Sequence, residues 1–397
     1  MGRAVLSDLS ARMPVAALVD RELAQLDRQI DWLVALSPLH HEALYEAFED
    51  SDWRRVPEFR YRPLGFDPVE ARECLRALPL DEVECPRVHA ILHTKQRELE
   101  LQLELVRLRG REGVLAVSIE LFGRADVELL RTAETLLGSV PVRERAPADA
   151  ALDDVVHAAN VELEHYRRIA SDFDARVVVD PDLGSKLMVS GGDLLISEAI
   201  ALSEARVMPL LHHEVGTHLL TWHNGRRQPW IQFSCGLAHY DRLQEGLATI
   251  SEYLAGYLSA SRLRTIAARV VATRRMECGA DVPEIFRELV DQHQLAADEA
   301  FDVAVRACRG GGLTKDVVYL RGLCELLAHL GSGGSFEGLF LGKFSLDQLD
   351  LVESMVEEGE LQPPELLPRY LDDPGARARL DACRDLGVAD LYQEVPA

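Results

Sequence analysis

Two histidines, His213 and His218, stand five residues apart inside a run that otherwise reads as a helix, and this spacing restricts the backbone more than any other feature of the chain. On an ideal α-helix successive residues turn by about 100°, so positions i and i+5 diverge by roughly 140° and point to different places. A single wide, π-type turn would return both imidazoles to one face. Gly216, between them, offers little steric resistance to that distortion. The segment LHHEVGTH (211–218) is therefore expected to carry a π-bulge.

Glu245 follows His218 after 27 positions, in DRLQEGLATISEYLAGYL (241–258), a run that reads as a second helix. Two imidazoles and one carboxylate, with a fourth position left to water, make a standard catalytic zinc shell. The pattern is HExxxH in place of the usual HExxH, so His213, His218 and Glu245 are the candidate ligands. Glu214, adjacent to a ligand, is placed to act as general base toward a metal-bound water. A hydrogen-bonded structural cluster is the bland alternative. His223, His239 and Glu252 compete as ligands without a better positional case, and His40-His41-Glu42 and the His89/His93 pair read as solvated helix faces.

Apolar residues recur at three- and four-residue spacing over Val19–Leu36 and Arg87–Arg109, and a further helix is expected over Ala125–Gly138. The stretch VPEFRYRPLGF (56–66) reads as an extended or looped crossing, and SVPVRERAPADA (139–150) as a linker. Residues 175–197, ARVVVDPDLGSKLMVSGGDLLIS, carry the one convincing β signal: short runs rich in Val, Leu and Ile punctuated by Asp-Pro, Gly and Gly-Gly-Asp. A strand edge there suits pairing with an extended peptide. Helical patterning resumes after Glu198, interrupted by the Gly/Ser insert GSGGS (331–335). The expectation is an α+β fold, predominantly α-helical with a small antiparallel or mixed sheet. Residues 1–145 would form an N-terminal helical region and 146–397 a metallopeptidase-like catalytic domain with C-terminal helices.

A net charge of −23 argues against nucleic acid or an anionic membrane surface as partner, since both need a basic face. No apolar run approaches the roughly 18 to 20 residues needed to cross a bilayer, and residues 1–23 mix acids and arginines where a signal sequence needs an apolar stretch. A cytoplasmic location is the expectation. Seven scattered cysteines, never in CxxC spacing, suggest neither a disulfide framework nor a cysteine zinc cluster. Of 43 basic residues only four are lysines, Lys95, Lys186, Lys315 and Lys343, a skew that fits GC-rich coding.

At HEVGTH (213–218) and QEGLA (244–248) the sequence resembles the flavohemoglobin expression-modulating QEGLA-motif family, whose eukaryotic relatives include tubulin tyrosine carboxypeptidases. FRYRPL (59–64), SIELFG (118–123), LMVSGGDLLI (187–196), RGGGLTKDVVYLRG (309–322) and LGKFSL (341–346) extend the likeness over roughly residues 40 to 370. The resemblance implies a zincin-like metallopeptidase core holding Zn2+ through His213, His218 and Glu245, with Glu214 as catalyst. It does not carry tubulin over as substrate, because the arginine-dominated composition looks bacterial.

Within GGLTKDVVYLRG, Tyr319 suits a hydrogen bond to a developing oxyanion, and Lys315 or Arg321 a charge-assisted hold on a C-terminal carboxylate. Asp316 fits a helix cap or an arginine partner. A zinc carboxypeptidase-like enzyme acting on peptide or protein C-termini is the leading expectation. A zinc endopeptidase, aminopeptidase or amidase comes next, then a catalytically silent regulatory protein that keeps the fold.

Overall fold

A computed structural model describes residues 13–143, 147–181, 183 and 185–392. The first twelve residues, part of the stretch read against a signal sequence, and three positions of the 139–150 linker lie outside the described residues. The described chain is α-rich with one small mixed sheet, in line with the expected fold class. It divides into two compact units, one of Met1–Ala17, Arg143–Ala260 and Gly322–Ala397, the other of Leu18–Val142 and Ser261–Arg321.

The first unit contains the sheet, in the order β1 (Val177–Asp180), β3 (Asp193–Ser197), β2 (Leu187–Ser190). β1 runs parallel to β3, while β2 pairs with it antiparallel in a register that sets Ser190 opposite Asp193. Only Gly191 and Gly192 remain for the turn, with φ of +59° and +90°. A two-residue hairpin whose central residues both have positive φ follows the right-handed strand twist, and glycine adopts that geometry without steric cost. Gly192 is doubly required, since a Cβ there would sit 2.0 Å from the Trp222 ring.

One apolar stripe joins this sheet to the helices. Leu187, Leu194 and Ile196 share a core with Val155, Ala159, Leu163 and Tyr166 of the helix Leu152–Ile169, and with Leu211, Val215 and Leu219. The last three are spaced by four and fully buried, so the segment bearing the histidines is anchored along one side. Each such side chain contributes roughly 1.5 to 3 kcal/mol by leaving water. Asn224 holds the end of this segment: its amide donates to the carbonyls of Phe340 and Leu366, and its Oδ1 accepts from the backbone of Glu365 and Leu366.

In the second unit the long helix Pro86–Arg107 starts with proline at its first turn, where no intrahelical N–H is lost. Its buried Lys95 is satisfied by Asp27 (3.2 Å) and Glu98 (2.9 Å). The single helix expected over Val19–Leu36 is two, Pro14–Ile30 and Trp32–Leu36, because Asp31 between them takes a left-handed conformation at φ 30°. The glycine run of RGGGLTKD has positive φ at Gly310, Gly311 and Gly312, and a Cβ at each would meet Leu36, Val114 or Met276 within 3 Å. Thr314 then fastens the loop, its N–H donating to Ser118 Oγ (2.8 Å) and its hydroxyl to the Ser118 carbonyl (3.0 Å).

Candidate metal centre

The helix Glu204–His213 passes without a break into a π-helical turn, Glu214–Leu219, and on into Leu220–Arg226. The i, i+5 spacing does impose the expected bulge, and it brings the His213 and His218 rings to a centroid separation of 5.2 Å, edge to face. Gly216 is not there for lack of room. A Cβ on it would rest in ordinary contact with Tyr370 (3.7 Å) and His212 (3.8 Å), so the turn follows from what the two histidines must share rather than from glycine sterics.

Glu245 arrives on the helix Asp241–Leu254. That helix packs glycine against glycine: a Cβ on Gly246 would lie 2.6 Å from the carbonyl oxygen of Gly322, and one on Gly322 would lie 1.9 Å from that of Arg242. The close backbone approach accounts for the glycine of QEGLA and fixes the height of Glu245 on its helix. His213 Nε2 stands 3.7 Å from Glu245 Oε2, and the ligating atoms of His213, His218 and Glu245 all lie within 4.8 Å of one another. Three donors each about 2.0 to 2.2 Å from a tetrahedral zinc are separated by roughly 3.3 Å, so a small contraction satisfies the ion.

The outer nitrogens are also organised. His213 Nδ1 is 3.0 Å from Glu252 Oε1, and His218 Nδ1 is 3.2 Å from Gln244 Oε1, which also lies 2.8 Å from the Thr221 hydroxyl. Since a carboxylate and an amide oxygen can only accept, both rings carry the proton on Nδ1 and present the Nε2 lone pair. Burial, reinforced by the neighbouring His213 and only partly opposed by Glu245, pushes the His218 imidazole down to about 4, so the ring is neutral at pH 7 as a ligand must be. Glu214 is buried and opens the π turn directly after His213.

Gln244 in the orienting role was not legible as such, although it directly precedes Glu245. Glu252, read as a rival ligand, serves instead as the partner of His213; its spacing of seven from Glu245 puts both carboxylates on one helix face. His223 turns elsewhere, toward Glu365 (3.4 Å). The decoy histidines take other partners: His41 lies 3.9 Å from Asp302, and His89 stacks on His93 with centroids 5.8 Å apart.

Lys315, Tyr319 and Arg321 belong to the second unit. Lys315 is buried, its Nζ 5.8 Å from the centre of the Tyr319 ring. Arg321 is committed internally, donating to the carbonyls of Phe122 (3.3 Å) and Arg124 (2.5 Å) and to Asp126 Oδ2 (2.7 Å). It ties down the start of the helix Val127–Ser139. Asp316 is held between arginines, as one of its two expected roles required.

An α-rich fold with two imidazoles and a carboxylate converging from neighbouring helices defines a protein built around a candidate metal centre. Residues 46–386 match the family described as "Microtubule-associated tyrosine carboxypeptidase", and the chain belongs to that family. Microtubule-associated tyrosine carboxypeptidase 1 of Homo sapiens is 30% identical over 166 residues, covering 38% of this chain and 34% of that protein. Putative tyrosine carboxypeptidase MATCAP2 of Homo sapiens is 25% identical over 221 residues, covering 52% and 42%. The matched segments thus span between about a third and two fifths of those relatives' own length. A solved structure, Trypanosoma cruzi metallocarboxypeptidase 1, aligns over 94% of this chain at 12% identity and a TM-score of 0.47, a superposition too loose to bear on the site. Among the described residues no helix is long and apolar enough to cross a membrane.

Proposed function

We propose that this protein is a zinc-dependent, carboxypeptidase-like hydrolase of peptide or protein C-termini, with His213, His218 and Glu245 as ligands. The observation that carries the reading is the π turn, which sets two imidazoles, each held at Nδ1 by an acceptor, beside one carboxylate. Membership of a family described as tyrosine carboxypeptidases supports the C-terminal substrate class. When bound, zinc would supply Lewis acidity, lowering the pKa of a coordinated water toward about 7 and polarising the scissile carbonyl.

The chain's own groups do the remaining work. Glu214 takes the water's proton and later passes it to the leaving amine. Glu252 and Gln244 keep the imidazoles in the tautomer that binds and prevent the rings from turning away. The edge of β2 offers backbone groups to an extended peptide. Tyr319 is assigned the oxyanion hydrogen bond and Lys315 the terminal carboxylate, on their chemistry.

Zinc content and peptide turnover of the purified protein test the proposal. Wild type should hold stoichiometric zinc, and Glu214→Gln should keep that zinc while losing turnover by about 10²- to 10⁴-fold. Wild type without zinc, or full activity in Glu214→Gln, would overturn it.

A further inference from the structure

The proposed reaction uses one outer edge of the sheet, that of β2, and leaves the other, β1, without a role. Along β1 the carbonyls of Arg176 and Asp180 face β3, accepting from the N–H groups of Leu194 (2.8 Å) and Glu198 (3.1 Å). Backbone groups alternate in direction along a strand, so Val177 and Val179 turn their N–H and C=O groups away from β3. Those outward groups make no hydrogen bond among the described residues. Val178 and Val179 are 39% and 42% exposed, so the edge is open to solvent. Native sheets guard an open edge with lysine, proline, a bulge or a covering segment, and the three valines of β1 carry no such guard.

An unguarded edge rich in β-branched residues is suited to a further strand, and the charges flanking the valines say which. Val177 and Val179 lie beside the buried Leu194 and Ile196, so Arg176, Val178 and Asp180 share the opposite, outer face. When β1 meets a second β1 antiparallel, with Val178 across from Val178, Val177 falls across from Val179 and Arg176 across from Asp180 at both ends. The Val177–Val179 pairs then exchange their outward N–H and C=O groups. The Val178 and Arg176–Asp180 pairs are of the non-hydrogen-bonded kind, with Cα atoms about 4.5 Å apart and side chains in closest approach. Opposite charges facing each other there favour the pairing. Arg176 is 76% exposed and uses one nitrogen on Asp193 (2.9 Å), so its guanidinium keeps donors for a second carboxylate.

We propose that two copies of this chain associate through β1, antiparallel about a two-fold axis at Val178, so that the two sheets become one in the order β2-β3-β1-β1-β3-β2. A strand of four residues is far smaller than the roughly 20 to 30 residues a side of a standard interface, and the dimer is accordingly weak. The β2 edges stay at the two ends of the joined sheet, so this pairing does not compete with the peptide edge of the proposed reaction, and it stands independently of that reaction.

Sedimentation velocity of the full-length protein between about 1 and about 300 μM tests the pairing. The salt is about 0.15 M, where a Debye length of about 8 Å screens the repulsion between two chains of charge −23. Wild type should shift from monomer to dimer across this range. Val179→Pro removes from each copy a donor that faces away from β3, so it should weaken association about tenfold or more while dilute protein keeps the wild-type circular dichroism. Arg176→Glu and Asp180→Arg each set like charges across from each other at both ends, and each alone should weaken association about tenfold or more. Mixed in equal amounts, the two variants set opposite charges at both ends, and association between them should return to within about threefold of wild type.

Recovery on mixing is particular to this register, since a dimer formed through a surface that lacks Arg176 and Asp180 gains nothing from it. The mixture decides the matter even if Val179→Pro does not fold. Wild type that stays monomeric throughout would overturn the proposal and leave the edge to a strand of a different protein. Association unchanged in a folded Val179→Pro, or a mixture no tighter than either variant alone, would overturn it as well.

Discussion

Among the described residues, two triads of side chains capable of holding a metal lie in the first unit, and both are equally compact. In His213, His218 and Glu245, and again in Asp172, His223 and Glu365, the ligating atoms lie within 4.8 Å of one another. Their surroundings differ. Each histidine of the first triad has its Nδ1 held by a buried acceptor. His223 Nδ1 is buried with no partner among the described residues, and the two carboxylates of the second triad share one guanidinium, Arg227 Nη1 standing 3.0 Å from Asp172 and 2.9 Å from Glu365. Acceptors that fix the tautomer favour metal binding at the first triad, and a resident guanidinium disfavours it at the second.

The largest effect expected from this contrast is on zinc itself. His213→Ala should abolish stoichiometric zinc and reduce peptide turnover about a thousandfold or more, whereas His223→Ala should keep full zinc occupancy. Metal analysis of the two purified variants checks this directly. Equal zinc loss in both would mean that the second triad contributes to binding.

Next in size is the effect of the acceptors that orient the two imidazoles. Glu252→Gln removes the charge that orients His213 while keeping the side chain's volume, and zinc affinity should fall by about 10- to 100-fold. Glu365→Gln, at the matching place beside His223, should leave zinc affinity unchanged. Competition with a chromophoric chelator reads both, and an unchanged affinity in Glu252→Gln would remove the orienting role.

The histidines also set a pH dependence in the metal-free protein. His212, His218, His223 and His293 all have their pKa lowered chiefly by burial, His218 to about 4. The folded state therefore binds these protons less readily than the unfolded chain, where histidine titrates near 6.5. Their contribution is complete above about pH 6.5 and declines as the pH falls toward the folded values, with up to roughly 3 kcal/mol at stake for His218. Urea unfolding of zinc-stripped protein at pH 7.5 and 5 should show this decline. Equal stability at the two values would contradict it.

What the sequence could disclose here was local. The five-residue spacing of His213 and His218 has one backbone solution, and the glycine pair before Asp193 has one turn, so both could be read from a few adjacent residues. Glu252 was read only as a rival ligand, because its partner lies 39 residues back and only the packing of two helices decides between ligand and orienting acceptor. The bond from Arg321 to Asp126 was hidden for the same reason, the two residues being 195 positions apart.

The smallest effect sharpens the comparison most, because it asks whether the second triad can be made to behave like the first. Arg227→Met removes the guanidinium between Asp172 and Glu365 while keeping an unbranched side chain of similar length. All three partners are about a quarter to a third exposed, so each lost pair is screened and costs about 1 kcal/mol or less. The melting temperature should fall by about 2 °C. Two carboxylates left facing His223 without a cation form a weak divalent site, so added zinc should restore the lost stability. His213→Ala serves as the background for this test, keeping the first triad from masking the result. Recovery there would establish that Arg227 is what separates the two triads. No recovery would shift the weight to His223 Nδ1, which lacks the acceptor that both histidines of the first triad possess.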